Sequence, residues 1–212
     1  MGTRFPIAET ISVFLVVVSV MSIHSLTLRK IPPSRTAKAS AASSLLVSLF
    51  VIFQLIDENI GFAFLIPFAI ATYFVIYIDI QTQRIPNFIN LILALTMTIA
   101  VVVWRFFNQD WQIFPIIIGG VTLFIIYFGL NLVSRNRLGM GDVKLAYAVG
   151  MASASFGISG MILATLFAFA LSGMFALGLL VSKKANLKSE FAFGPFMIAG
   201  TWLSLLMLSS FL

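Results

Sequence analysis

Long apolar stretches, cut by short polar or Gly/Pro-rich breaks, run along most of this chain. They predict helices over residues 7–26, 42–56, 61–80, 88–106, 113–133, 143–155, 159–181 and 195–211. A helix needs about 20 residues to cross the hydrocarbon of a bilayer. The second and sixth stretches are shorter than that and read as tilted, partly re-entrant or extended into their loops. No small-x-small cleavage site before Arg29 marks residues 7–26 as a cleaved leader, so they read as a retained span. The expected fold is all-α: a polytopic membrane protein of about eight transmembrane helices.

Composition agrees with that pattern. Charged residues make up 9% of the chain, against about a quarter in soluble domains, so the surplus apolar surface has to face lipid. One membrane domain over 1–212 is the simplest organisation, with the first two helices (1–58) peripheral to a six-helix unit over 60–212. The absence of cysteine excludes a disulfide framework, cysteine-ligated zinc and a thiol nucleophile. His24 is the only histidine, so no metal or other cofactor is expected. The net charge of +6 reflects orientation in the bilayer rather than binding to nucleic acid.

The charges are unevenly placed. Arg29, Lys30, Arg35 and Lys38 lie between the first two spans, and Arg84 follows the third. Arg135, Arg137 and Lys144 surround the turn before the sixth, and Lys183, Lys184 and Lys188 precede the eighth. All fall on one side of the predicted topology; only Arg4 and Arg105 fall on the other, which also carries Asp57, Glu58 and Asp110. The positive-inside rule puts the basic loops in the cytoplasm and both termini outside it.

That topology brings two acids to one depth. Asp79 closes the third span and Asp142 opens the sixth, so both emerge at the cytoplasmic boundary. An acid at a helix C-terminus opposes the macrodipole; neutralisation by Arg84 is the structural explanation, a functional acid the other. Asp142 can be read as an N-cap. Capping does not call for glycine at both 139 and 141, which permits φ > 0 and a close backbone approach. Two carboxylates held together in a poorly solvated site share a proton instead of ionising together. One can activate water while the other protonates the carbonyl oxygen or the leaving amine. Ala164, Ala168, Ser172 and Ala176 form a four-residue stripe, and Gly119 with Gly120 thins the fifth span; both suit close helix packing. Pro86 and Pro195 read as helix starts.

Three segments together, Asp79 with Arg84-Ile85-Pro86-Asn87, then Gly139-Met140-Gly141-Asp142-Val143-Lys144-Leu145, then Phe193-Gly194-Pro195-Phe196, resemble the type IV prepilin peptidases. These are membrane aspartyl proteases of the GxGD class, and the resemblance spans roughly residues 60–205. It implies cleavage of the short basic leader of prepilin or pseudopilin precursors at the cytoplasmic face of a prokaryotic inner membrane, in type IV pilus assembly or protein secretion. It implies Asp79 and Asp142 as the catalytic acids. Gly139 and Gly141 would shape the second acid's turn, with Arg84, Pro86, Asn87, Lys144, Gly194 and Pro195 supporting the site. Longer members add a cytoplasmic domain, often with paired CxxC motifs, that methylates the new N-terminus. The loop over 28–38 has no cysteine and is too short for such a domain, so peptidase activity without methyl transfer is expected.

Two other readings use the same acids. One is the presenilin or signal-peptide-peptidase branch of GxGD proteases, whose Tyr-Asp and Pro-Ala-Leu signatures are missing, Ile78 preceding Asp79. The other is a proton-coupled transporter, which calls for acids spread through the membrane depth. The sequence does not reveal the oligomeric state.

Overall fold

The computed structural model describes residues 41–43, 45, 46, 48, 62–107, 113–135, 138–183 and 192–209. Among them there is no strand. Six α-helices follow one another: α1 (Phe62–Thr82), α2 (Asn87–Phe107), α3 (Ile113–Val133), α4 (Met140–Ser153), α5 (Gly157–Val181) and α6 (Gly194–Ser209). A single 3₁₀ turn, Ala154–Phe156, joins α4 to α5. The span expected over 7–26 lies outside the described residues. So does most of 42–56, where a few helical positions up to residue 48 are described, and with it the expected division at residue 58.

Four apolar stretches are long enough to cross a membrane: Leu65–Thr82, Asn87–Phe106, Ile113–Val133 and the folded-back Met140–Val181; Gly194–Leu208 is apolar but shorter. Their burial differs sharply. α1 is buried over 67% of its apolar window and α3 over 28% of its own, so α1 forms the core and α3 presents most of its surface outward. The buried face of α1 includes Leu65, Phe68, Thr72, Val75 and Asp79, spaced three or four residues apart as one helix face requires. The exposed face of α3, with Phe114, Ile118, Ile125 and Leu132, is as apolar as a core, which is what a lipid-facing surface looks like.

Contacts along the helices fix their directions. Trp202 of α6 packs against Phe68 of α1 at a ring separation of 5.5 Å and donates its indole N–H to Thr72 Oγ1 at 3.3 Å. Further along the same pair, Gly194 meets Asp79, so α1 and α6 are antiparallel. α3 and α4 are antiparallel as well, with Gly119 beside Gly150 and Ala154, and Gly120 beside Tyr147 and Met151. A Cβ on Gly150 would overlap the carbonyl oxygen of Gly119. The expected thinning of the fifth span is therefore real, and its partner is the backbone of α4. The stripe on α5 also packs as expected at Ala164, Ala168 and Ser172, all buried. Gly200 of α6 sits against the backbone at Ala164 and Ala168, and small residues permit this approach where no hydrophobic effect drives helices together.

Two boundaries depart from expectation. α4 begins at Met140, three residues earlier than predicted, because the Gly139 carbonyl accepts the N–H groups of Asp142 (3.0 Å) and Val143 (3.1 Å). Asp142 therefore lies inside the first turn and is not the N-cap; Gly139 is, with φ −62° and ψ 135°. The α4–α5 connection is tighter than the break between 155 and 159 suggested. The chain reverses at Gly157, whose φ of +69° and ψ of −155° is a conformation suited to glycine alone. The result is a bundle in which the end of α1, the starts of α2, α4 and α6, and the ends of α3 and α5 share one pole.

Candidate active site

That shared pole is where both acids lie. Asp79 is 2% exposed and Asp142 9%, low for carboxylates, which are rarely buried without a partner. Asp79 sits on the buried face of α1 one turn from its end. Its Oδ2 accepts the backbone N–H of Gly194 at 2.9 Å. A free N–H at a helix start is a ready donor for an anion. Glycine leaves these side chains room: a Cβ would come within 2.8 Å of Asp79 Oδ2 and 2.9 Å of Ile85 Cδ1, and both would have to shift. Pro195 follows in the first turn of α6, where its missing N–H costs nothing.

Neutralisation of Asp79 by Arg84 does not occur. Arg84 is exposed, and among the described residues it forms no ion pair with Asp79. Its contribution is to the turn: its carbonyl accepts the Thr82 hydroxyl at 2.9 Å, and Gln83 beside it has φ of +50°. This turn delivers Ile85 into the core and Pro86 to the start of α2, where the Pro86 carbonyl accepts the Ile89 N–H at 3.1 Å.

Asp142 is seated differently. It is the third residue of α4, and its carboxylate reaches back toward the backbone N–H of Gly139, half of a capping box. Gly139 and Gly141 do not supply the positive φ that their sequence suggested: among the described glycines only Gly157 has it. They supply closeness. A Cβ on Gly141 would lie 3.0 Å from both Cβ and the carbonyl oxygen of Ile85, and one on Gly139 would lie 3.0 Å from Asp142 Oδ2. Ile85 thus wedges between the two seats, touching the Gly141 backbone on one side and bordering Gly194 on the other. The two carboxylates are near enough for the charge on Asp79 to act on Asp142.

The start of α2 binds the Asp142 turn twice. Lys144 Nζ donates to Asn87 Oδ1 at 2.7 Å, and Asn90 Nδ2 donates to the Gly141 carbonyl at 2.9 Å. The first pair joins two residues that the sequence singled out separately. Asn90 was missed, although its spacing three residues after Asn87 places it on the same helix face. Tyr127 of α3 was also missed. It is fully buried between Phe169 (6.0 Å) and Phe193 (6.4 Å), and its hydroxyl has no hydrogen-bond partner among the described residues. No local pattern in α3 distinguishes it from the apolar residues around it.

Among the described residues no group of three or more His, Asp or Glu is placed to hold a metal ion. The arrangement offers two buried carboxylates, one held by a backbone donor and the other by its own turn, at a pole surrounded by exposed Arg84, Arg135 and Lys183. Water between such acids has a base on one side and an acid on the other.

The fold defines a helical membrane protein with two buried carboxylates at one pole. The sequence pattern of the type IV leader peptidase family matches residues 63–181, more than half of the chain and including both acids. The protein belongs to that family and is a membrane peptidase. No curated protein and no solved structure gives a match.

Proposed function

We propose that the protein is a membrane aspartyl endopeptidase that removes the short basic leader from type IV prepilin or pseudopilin precursors at the cytoplasmic face of a prokaryotic inner membrane. The observation carrying this reading is the convergence of Asp79 and Asp142, 63 positions apart in sequence, at one buried pole where Ile85 packs against Gly141 and Gly194, the glycines beside the two carboxylates.

In this mechanism the pair holds one proton. The ionised member removes a proton from water as its oxygen attacks the scissile carbonyl carbon. The protonated member donates to the carbonyl oxygen, giving a neutral tetrahedral diol. The roles then reverse: the new acid protonates the departing amide nitrogen, the C–N bond breaks, and the base reclaims a diol proton. Atoms and charge balance without a cofactor. The Gly194 N–H steadies charge on Asp79. The proposed activity is cleavage alone, since the loop over 28–38 lacks the cysteines and the length of a methylating domain.

Co-expression of the full chain with a prepilin-like precursor tests this reading, with precursor and mature bands followed for wild type, D79N and D142N. Conversion by wild type alone supports it. Processing by D142N at a near-normal rate would eliminate the two-acid mechanism.

A further inference from the structure

Asp142 is flanked by backbone that glycine leaves loose on its N-terminal side, yet its carboxylate has to be held to a fraction of an ångström for acid–base work. Its own turn supplies only the contact to Gly139. The Gly141 carbonyl offers a second handle, because it lies in the same rigid peptide plane as the Asp142 Cα. Holding that oxygen fixes the plane from which the Asp142 side chain springs.

Asn90 holds it. The residue is 5% exposed, and its Nδ2 donates to Gly141 O at 2.9 Å across 51 residues of sequence. A carbonyl has two lone pairs, so the bond is compatible with Gly141 remaining in the helix. The other end of the amide carries a second clue: Asn90 Oδ1 is buried and accepts no hydrogen bond. An unfilled buried acceptor is a standing cost, which a side chain present only for packing would not incur. Ile89 and Leu93, its buried neighbours on α2, are apolar. The amide is there for its donor.

We propose that Asn90 is a positioning residue that sets the placement of Asp142 by clasping the Gly141 carbonyl. It acts through backbone and touches no substrate, and its catalytic consequence rests on the peptidase reading above. The exposed Asn87, one turn earlier, binds the half-buried Lys144 and braces the same segment from outside.

The chain contains no cysteine, so a cysteine introduced at one position is the sole thiol. Full-length D142C and a control, S182C at an exposed site of the same pole, are labelled with a maleimide, each with Asn90 intact and with N90L or N90D. Leucine keeps the volume and aspartate the shape, and neither retains the N–H donor. The expected result is a change in the D142C labelling rate of about fivefold or more, with S182C within about twofold. A labelling rate at 142 that neither variant changes overturns the proposal, as does an equal change at 182, which would signal general loosening.

The second arm measures cleavage of a prepilin-like precursor by N90L and N90D. The turnover number is expected to fall about tenfold to hundredfold per folded enzyme, with KM within about twofold. If wild type releases no leader while the labelling shift holds, the peptidase reading fails and the positioning role stands. If wild type cleaves and both variants cleave and label as it does, the positioning role fails and the peptidase reading stands.

Discussion

Asp79 and Asp142 are equivalent on paper, each an acid at the end of an apolar run, but the molecule seats them by different means. Asp79 depends on tertiary structure: its donor, the Gly194 N–H, lies 115 residues away and arrives only when α6 docks against α1. Asp142 depends first on its own turn, through Gly139, and then on two side chains from the start of α2. The first seat is assembled from one distant point. The second is built locally and braced from outside.

The sharpest way to break this comparison is to remove the charge from either acid. D79N and D142N should each lower cleavage by about 10²–10⁴-fold, the range expected for loss of a general acid or base, measured as mature product formed per folded enzyme. The near isostere keeps the shape of each seat, so folding should persist, checked by size-exclusion elution in detergent. If D79N alone retained activity, the acids would differ in chemistry as well as in mounting.

The next largest effect should come from the seat that relies on a single point. A methyl group at residue 194 would press on Asp79 Oδ2 and Ile85 Cδ1 together, forcing α6 or the carboxylate to shift. G194A should therefore cost about tenfold or more in turnover, an overpacking penalty of about 1–3 kcal/mol felt at the acid itself. G150A provides the contrast. Its methyl group would strike the Gly119 carbonyl, backbone against backbone, far from both acids. It should reduce thermal stability by a similar about 1–3 kcal/mol while leaving turnover per folded enzyme within about threefold of wild type. Unfolding midpoints and cleavage rates measured on the same preparations separate the two outcomes.

These contrasts also show which parts of the structure were legible in the sequence. Apolar periodicity and length placed all six described helices within a few residues, because lipid and helix geometry together leave few alternatives. The convergence of the acids followed from counting crossings. Conformation at the glycines did not follow. Gly139 and Gly141 were expected to permit positive φ and a close approach; only closeness is used, Gly141 against the Ile85 backbone and Gly139 against the Asp142 carboxylate, and the positive φ falls at Gly157, in the break before α5. Close approach and chain reversal both call for glycine, so the residue type cannot tell them apart. Arg84 looked like the partner of Asp79 because it is near in sequence, but the partner is a backbone N–H, which no residue type announces. Asn90 and Tyr127 escaped notice for a related reason: each sits in a mainly apolar helix, and only packing reveals what it faces.

The smallest effect should come from the outer brace on Asp142. Lys144 and Asn87 bond at 2.7 Å, but Asn87 is exposed, and water competes for both partners. An exposed hydrogen bond of this kind contributes about 1 kcal/mol or less, so N87A should slow cleavage by less than about fivefold. The buried Asn90 clasp one helical turn away should matter more, although it involves no charge, because its Gly141 acceptor has little access to replacement water. Cleavage rates for N87A and N90L measured side by side make the comparison: the N87A deficit should stay below about fivefold and the N90L deficit should reach about tenfold or more. An N87A deficit that exceeded that of N90L would show that Asp142 is placed by the charged contact at the rim, and the order of importance of its two supports would be reversed.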